Sequence, residues 1–185
     1  MKIDNVEAQL VDADVKILEK YSNVRTVVQL GVLNGGSCIV SAKKAEQVIG
    51  IDVFEKIYLI EDNKLRKHYK GTFTLFKNSY ESVTQQLSKY KNITLVQATT
   101  IDIIPLFNEK IDMLFIDADH SYEAVKKDFL CWKKFMVING RVLFHDSHEE
   151  TRWQGVYHFV EELKKDKDWK FIELDGSISV FQKVK

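Results

Sequence analysis

The chain has 185 residues, 45% hydrophobic and 29% charged, enough for one soluble domain (1–185) with a full-sized core. Its 27 basic and 27 acidic residues cancel, which argues against a nucleic-acid surface. No run reaches the roughly 18 apolar residues of a membrane span. The N-terminus lacks a signal's apolar stretch, and Cys38 and Cys131 stand apart from any CxxC spacing. The expectation is a cytoplasmic, reduced chain with no membrane or nucleic-acid partner, no disulfide and no zinc–thiolate site.

Apolar residues at Val6, Leu10, Ala13, Ile17 and Tyr21 predict a helix over 4–21, with residues 1–22 a candidate cover for an active site. "RTVVQLG" is a β-branched run ending in glycine, a buried strand, and "GGSCIVSAKKA" opens a helix. "EQVIGIDVF" is a second strand. Residues 54–70 are charged and partly helical, and "LFKNSYESVTQQLSKY" is a further helical segment. "NITLVQA" is a third strand, "IDIIPLF" a short helix and "IDMLFID" a fourth strand. Tyr122, Val125, Phe129, Trp132 and Met136 share one helical face over 121–136, with Ser121 as N-cap. "NGRVLFHD" is a turn and a fifth strand, and "GVYHFVEELKK" a helix. "WKFIELDGSISVFQKV" is a hairpin around Asp175-Gly176. Trp132, Phe135 and Met136 read as core, with an oligomer face as the alternative. Alternating strands and helices imply a parallel α/β sheet covered on both faces, and the hairpin adds one antiparallel strand.

In such sheets ligands bind beyond the carboxyl ends of the strands. Four features fall there. In "VQLGVLNGGS", Gly31, Gly35 and Gly36 end a strand and start a helix, a loop that brings a ligand close to the main chain or is simply a tight turn. The spacing is neither G-x-G-x-x-G nor a phosphate loop. Asp52 ends the second strand, 21 residues after Gly31, where an acid accepts hydrogen bonds from a ribose or caps the next element. Asp117 and Asp146 end the fourth and fifth strands. Together they suit a hard cation such as Mg²⁺; separately, one binds substrate directly, or Asp146 orients His145. His120, His145 and His148 cluster near the same edge and offer a base, whereas His68 and His158 read as incidental. Asp119 shapes the turn or starts the helix.

Taken in order, "VQLGVLNGGS", "VIGIDVF", "LFIDADHSYEAVKKDF" and "NGRVLFHDS" resemble the class I S-adenosylmethionine-dependent methyltransferases, most of all the small-molecule O-methyltransferase branch related to the catechol and sugar or macrolide enzymes. The likeness runs from about residue 25 to the end of the sequence. It implies a Rossmann-like seven-stranded sheet with an antiparallel last strand. It also implies S-adenosylmethionine as cofactor and a small-molecule hydroxyl as acceptor. Gly31, Gly35 and Ser37 would line the methionine part, Asp52 the ribose, and Thr99, Thr100 and Ile101 the adenine; Asp117 borders the same crevice. Gln29 stands where the family usually has an acid that contacts the cofactor's amino group or its surroundings, and the resemblance makes it a cofactor-binding residue too. In metal-dependent relatives the acids at Asp117 and Asp146 bind Mg²⁺, Ser147 replacing an asparagine ligand. The catechol enzymes carry their lysine base three places after the first acid, where this chain has His120; His145 is the other candidate.

Two other classes compete. A nicotinamide-dependent oxidoreductase on a similar sheet would need the G-x-G-x-x-G loop that is absent. A cofactor-binding module, or a partner within a biosynthetic complex, would keep the pocket without turnover; Gln29 and Ser147 favour that reading.

Overall fold

The computed structural model describes residues 1–54 and 79–185. Apart from Phe54, the helical stretch expected over 54–70 lies outside the described residues, as do His68 and the first residues of "LFKNSYESVTQQLSKY".

The elements run β1 (Lys2–Ile3), β2 (Val6–Glu7), α1 (Asp12–Tyr21), β3 (Thr26–Leu30), α2 (Gly36–Ala42), β4 (Gln47–Asp52), α3 (Tyr80–Leu87), β5 (Ile93–Gln97), β6 (Ile111–Ile116), α4 (Tyr122–Trp132), β7 (Met136–Phe144), α5 (Gln154–Leu163), β8 (Trp169–Asp175) and β9 (Ile178–Lys183). Seven strands form one sheet in the order β5-β4-β3-β6-β7-β9-β8. β3 to β7 pair in parallel, and β9 runs antiparallel between β7 and β8. This is the mostly parallel, Rossmann-like sheet expected, with one reversed strand.

Strand alternation sends side chains to two separate cores. Val27, Met113, Phe115 and Leu143 pack under α1, α2 and α3, with Ile17, Leu18, Ile39 and Leu87. Val28, Leu30, Leu114, Ile116, Val142 and Phe144 pack under α4 and α5, with Phe129, Trp132 and Phe159. β3 lies inside the sheet, between β4 and β6, with all five residues buried, so a largely apolar run is what its two covered faces demand. The chain steps outward from β3 through β4 to β5, then returns to add β6 on the other side. The crevice of a doubly wound sheet opens at that reversal, between the ends of β3 and β6.

Three boundaries differ from the expectation. The helix expected over 121–136 ends at Trp132, so Met136 opens β7 instead of sharing its face. The first helix starts at Asp12, not residue 4, because Asp4 (φ 48°) and Asn5 (φ 72°) turn residues 2–7 into a small hairpin. Val6 and Leu10 are buried from outside the helix, at positions that happened to match its period. The fifth strand begins at Met136, before the Asn139-Gly140 pair: Asn139 takes φ 66° within the strand, and the pairing with β6 shifts register between Ile111 and Met113. Trp132 and Met136 are core residues, and Phe135 packs its ring 4.9 Å from Phe107.

Candidate functional site

β3 leaves the sheet through Gly31, at φ 89°. The Leu30 carbonyl accepts the Asp117 N–H at 2.8 Å, and Gly31 donates to the Ile51 carbonyl at 2.9 Å. The turn is therefore stitched to both neighbouring strands. Gly35 and Gly36 have a different use from the open approach expected of them. A Cβ on Gly35 would stand 2.5 Å from Leu87, and one on Gly36 would stand 2.4 Å from the Ala8 side chain. The protein itself fills that space.

Gln29 corrects an expectation. Alternation puts it on the α2 face of β3 beside Val27, and it is fully buried. Its amide donates to the Ser37 carbonyl at 3.2 Å and to Ser41 Oγ at 2.8 Å, and its oxygen accepts from Ser37 Oγ at 2.9 Å. Both amide protons are committed, so the side chain staples the helix to the strand rather than facing a ligand. The Ser37 hydroxyl is held by the same staple.

Asp52 folds back over the glycine turn. Its Oδ2 accepts from Val32 N at 2.7 Å and Leu33 N at 3.0 Å, and Oδ1 accepts from Phe54 N at 2.9 Å. Among the described residues, one acceptor position remains on Oδ1. On the next loop, Thr100 Oγ1 donates to Asp128 and the Trp132 indole donates to the Thr100 carbonyl at 2.8 Å. Thr99 Oγ1 caps Asp102 N at 3.0 Å, and Ile101 is half-buried beside it. The Thr99–Ile101 turn is thus held from beneath by α4. Burial raises the Asp128 carboxyl to about 6, against the pull of the Thr100 hydrogen bond.

The ends of β6 and β7 bring four ionisable groups to one point. Ligand-type atoms of Asp117, His120, His145 and Asp146 all lie within 4.8 Å of one another. His145 Nδ1 is 3.0 Å from Asp117 Oδ1 and 3.5 Å from Asp146 Oδ2. His120 Nε2 is 3.5 Å from Asp117 Oδ1 and 3.3 Å from Asp146 Oδ2. Asp146 reaches inward from a left-handed backbone (φ 52°), which aspartate tolerates better than most residues. The His120 ring stacks on Trp153 at 4.7 Å, and Gly155 at the start of α5 lets that helix press on the His120–Tyr122 backbone. Asp119 stays outside the cluster; its Oδ1 accepts from Ser121 N at 2.7 Å and shapes the entry to α4.

Two members of the set had no signal strong enough to single them out. Asp14, on α1, is 1% exposed and has Oδ2 3.6 Å from His145 Nε2. It caps its own helix through Val11 N (2.9 Å) and takes Ser177 N (2.8 Å) and Ser177 Oγ (2.9 Å) from the hairpin turn. The only sequence trace of it is an acid in the first turn of a helix. Trp153 lies between the fifth strand and the last helix and carried no motif.

Ser147 is the second correction. Its hydroxyl lies 2.8 Å from Ser179 Oγ and 3.1 Å from the Ser177 carbonyl, and accepts Ser179 N at 2.9 Å. Buried at 2% exposure in the hairpin, it locks β9 to the end of β7 rather than joining the cluster. His148 is not one of the four either.

The electrostatics are those of two carboxylates sharing two imidazoles. Burial would raise Asp117, but the charge and close contact of His145, with the nearby charge of His120, hold it far below the usual carboxylate range. Burial would lower His120, but Asp117 and Asp146 raise it to about 9. His145 is likewise held well above its ordinary value. The signs predict a stability window. Asp117's contribution is present above its ordinary pKa of 3.8 and is lost as pH falls; that of His120 is complete below 6.5 and is lost as pH rises through about 9. In EDTA, melting temperature should therefore fall between pH 6.5 and 9.5, and the fall should be smaller in His120→Gln. An identical slope in both proteins would remove His120 from this account.

A seven-stranded sheet of this order, with a glycine turn and a strand-end acid at its reversal, defines the Rossmann-like fold of the methyltransferases. Residues 28–147, more than half of the chain, match the family described as "Methyltransferase domain", and the chain belongs to that family. An uncharacterized protein of Acanthamoeba polyphaga mimivirus is 29% identical over 144 residues, which are 74% of this chain and 60% of that protein. The chain thus spans about 60% of the length of that curated relative. Among solved structures, the O-methyltransferase NovP superposes with a TM-score of 0.72 at 18% identity, over 92% of this chain and 79% of its own. TomG, an O-methyltransferase of Streptomyces achromogenes involved in tomaymycin synthesis and solved with S-adenosylmethionine, gives 0.64 at 16% over 92% and 79%. An O-methyltransferase of Bacillus cereus in complex with S-adenosylhomocysteine gives 0.64 at 15% over 98% and 86%. At these identities the likeness is one of fold. Among the described residues, no helix is long and apolar enough to cross a membrane.

Proposed function

We propose that the chain transfers the methyl group of S-adenosylmethionine to a hydroxyl oxygen of a small molecule, a sugar or another diol being the class that suits the site. The observation that carries this reading is the convergence of Asp117, His120, His145 and Asp146 beside the glycine turn of a methyltransferase-family chain. When bound, the cofactor supplies a methyl carbon activated by its sulfonium, so that an O–C bond forms as the C–S bond breaks.

The residues present fit that cofactor. Among the described residues, Asp52 keeps an acceptor position for a ribose hydroxyl while its other contacts fix the turn. Gly31, Gly35 and Ser37 would meet the methionine end through main-chain atoms, because the Ser37 side chain is spent on Gln29. Thr99, Thr100 and Ile101 would edge the adenine, on a turn already braced by Asp128 and Trp132. Rigid placement matters, because alignment of oxygen, carbon and sulfur supplies much of the rate in such a displacement.

The acceptor's proton leaves at the cluster. His120 Nε2, between the two acids, is the acceptor we assign in the cation-free chain, with His145 behind it; because the two carboxylates raise His120 to about 9, it takes the proton only as the ring becomes neutral at alkaline pH, and the carboxylates then stabilise the imidazolium formed. A divalent cation at Asp117 and Asp146, expected above as Mg²⁺, would help by lowering the hydroxyl's pKa. A vicinal diol offers two oxygens to such an ion, which favours sugars and catechols among acceptors.

Calorimetry with S-adenosylmethionine and NAD is the first test. The methyl donor should bind and NAD should not. Asp52→Ala should weaken the donor by about 10–100-fold, the worth of hydrogen bonds to a charged group, with circular dichroism showing that the sheet survives. Binding of NAD without the methyl donor would overturn the reading. Product should then form from some diol in a panel of sugars and catechols, with Mg²⁺ or with EDTA. Tight donor binding with no product from any of them would favour the binding module.

A further inference from the structure

The four strand-end groups fit a different ion from the one expected of the two acids alone. Mg²⁺ favours oxygen donors and keeps much of its water. Half of the donors here are imidazole nitrogens, which suit the borderline transition metals. Spacing agrees. Four atoms arranged tetrahedrally about 2.1 Å from one ion lie about 3.4 Å from each other. The nitrogen–oxygen separations in the cluster are 3.0, 3.3, 3.5 and 3.5 Å, and every pair of the four atoms lies within 4.8 Å, a set that closes to the tetrahedral spacing with small side-chain shifts.

A second observation points the same way. His120 Nε2 is buried and close to two carboxylate oxygens, yet makes no hydrogen bond of acceptable geometry with either. A buried ring nitrogen aimed between two acids, rather than at one of them, is placed as a metal ligand is placed. His145 adds the outer arrangement. Its Nδ1 faces the cluster, while its Nε2, also buried without a hydrogen bond, stands 3.6 Å from the buried Asp14 carboxylate, an ion-pair distance that a small turn of the ring on binding would shorten. A ligating histidine characteristically presents its other N–H to such a carboxylate, which fixes the tautomer and makes the ligating nitrogen more basic. Asp14 is itself immobilised by Val11 and Ser177, so α1 and the terminal hairpin together set the tilt of the His145 ring.

We propose that Asp117, His120, His145 and Asp146 form a two-carboxylate, two-histidine site for a transition-metal dication such as Zn²⁺ or Co²⁺, with Asp14 as the outer carboxylate of His145. Ser147 is not a ligand. This rests on the proposed methyl transfer only for the purpose of the ion; binding itself is independent of turnover. With both imidazoles engaged, the acceptor's proton passes to crevice water instead of His120. Of the residues that hold the site, Asp14 is a positioning residue and touches no reacting atom.

The test is metal binding by the full chain, stripped with EDTA and desalted. Zn²⁺ is titrated against a chromogenic chelator, Co²⁺ is followed by its visible absorption, and Mg²⁺ is measured by calorimetry. One equivalent of Zn²⁺ or Co²⁺ should bind at least about 100-fold more tightly than Mg²⁺, in the direction set by nitrogen donors. His120→Ala should lose most of that affinity and change the Co²⁺ spectrum. Asp14→Asn should keep one-to-one binding but weaken it about 10–100-fold. Ser147→Ala should leave it unchanged. His120→Asn replaces His120→Ala should the latter fail to fold by circular dichroism. The proposal is overturned if Mg²⁺ binds as tightly as Zn²⁺, if no ion binds, or if Zn²⁺ and Co²⁺ bind the His120 variants as they bind wild type. S-adenosylmethionine calorimetry on the same samples separates the two readings: donor binding without metal sinks only the ion, and metal binding without the donor sinks only the methyl transfer.

Discussion

Replacing Asp117 with asparagine should cut methyl transfer by about 10²–10⁴-fold, the usual worth of a positioned acid–base group. The expectation does not depend on how the hydroxyl loses its proton. If His120 takes it, Asp117 is one of the two carboxylates that stabilise the resulting imidazolium, at 3.5 Å, and also holds the His145 ring at 3.0 Å. If an ion lowers the hydroxyl's pKa, Asp117 is one of its ligands. Asparagine keeps the shape of the side chain and removes the charge, so the effect should fall on turnover and leave donor binding within a few-fold. The assay is transfer of a labelled methyl group to the best acceptor of the diol panel, beside calorimetry with S-adenosylmethionine. Turnover within threefold of wild type would take Asp117 out of the reacting centre. A parallel loss of donor affinity would instead make it a cofactor contact.

The sheet was legible because parallel strands covered on both faces need continuous apolar runs, and "RTVVQLG" and "IDMLFID" are such runs. Their strand-end residues were legible for the same reason: a polar side chain straight after a buried strand stands at the sheet's edge. Gln29 was misread although the same alternation contained the answer, since it lies between Val28 and Leu30 and so points with Val27 toward α2. A family position outweighed the pleat in that reading. Ser147 was misread because its partners, Ser177 and Ser179, are 30 and 32 residues away, brought close only by the reversed strand β9. Asp14 is the extreme case. Its contact with His145 spans the N-terminal helix and the fifth parallel strand, and its partner Ser177 lies in the last turn of the sheet. Local patterns carry spacing along one element. They do not carry which helix covers which strand end, and that choice is what completed the cluster. Meanwhile the alternation that buries Phe115 and Leu143 under α1 also turns Asp117 and His145 toward that helix.

Gly31→Ala should destabilise the protein by more than about 3 kcal/mol, in the range kept for backbone strain and overpacking at a rigid site. Gly31 sits at φ 89°, and a Cβ there would lie 2.1 Å from the Asp117 carbonyl oxygen and 2.6 Å from its carbonyl carbon. No rotamer change relieves this, because both clashing atoms are main chain. Moving them means prising β3 from β6 where Asp117 N bonds the Leu30 carbonyl. Gly35→Ala is the internal control. It also has a positive φ, of 87°, but its new methyl would meet the Leu87 side chain at 2.5 Å, and a leucine can turn aside. That substitution should cost about 1–2 kcal/mol, mostly the left-handed backbone penalty. Urea unfolding of the two variants beside wild type gives the comparison directly. Equal losses would mean that the β3–β6 junction yields as easily as a side chain, and that the Asp117 backbone is not fixed by the turn beside it. A large loss at Gly31 alone would mean that the glycine is needed for placement: it lets the first strand's turn approach closely enough to set the backbone of the residue both readings of the chemistry depend on.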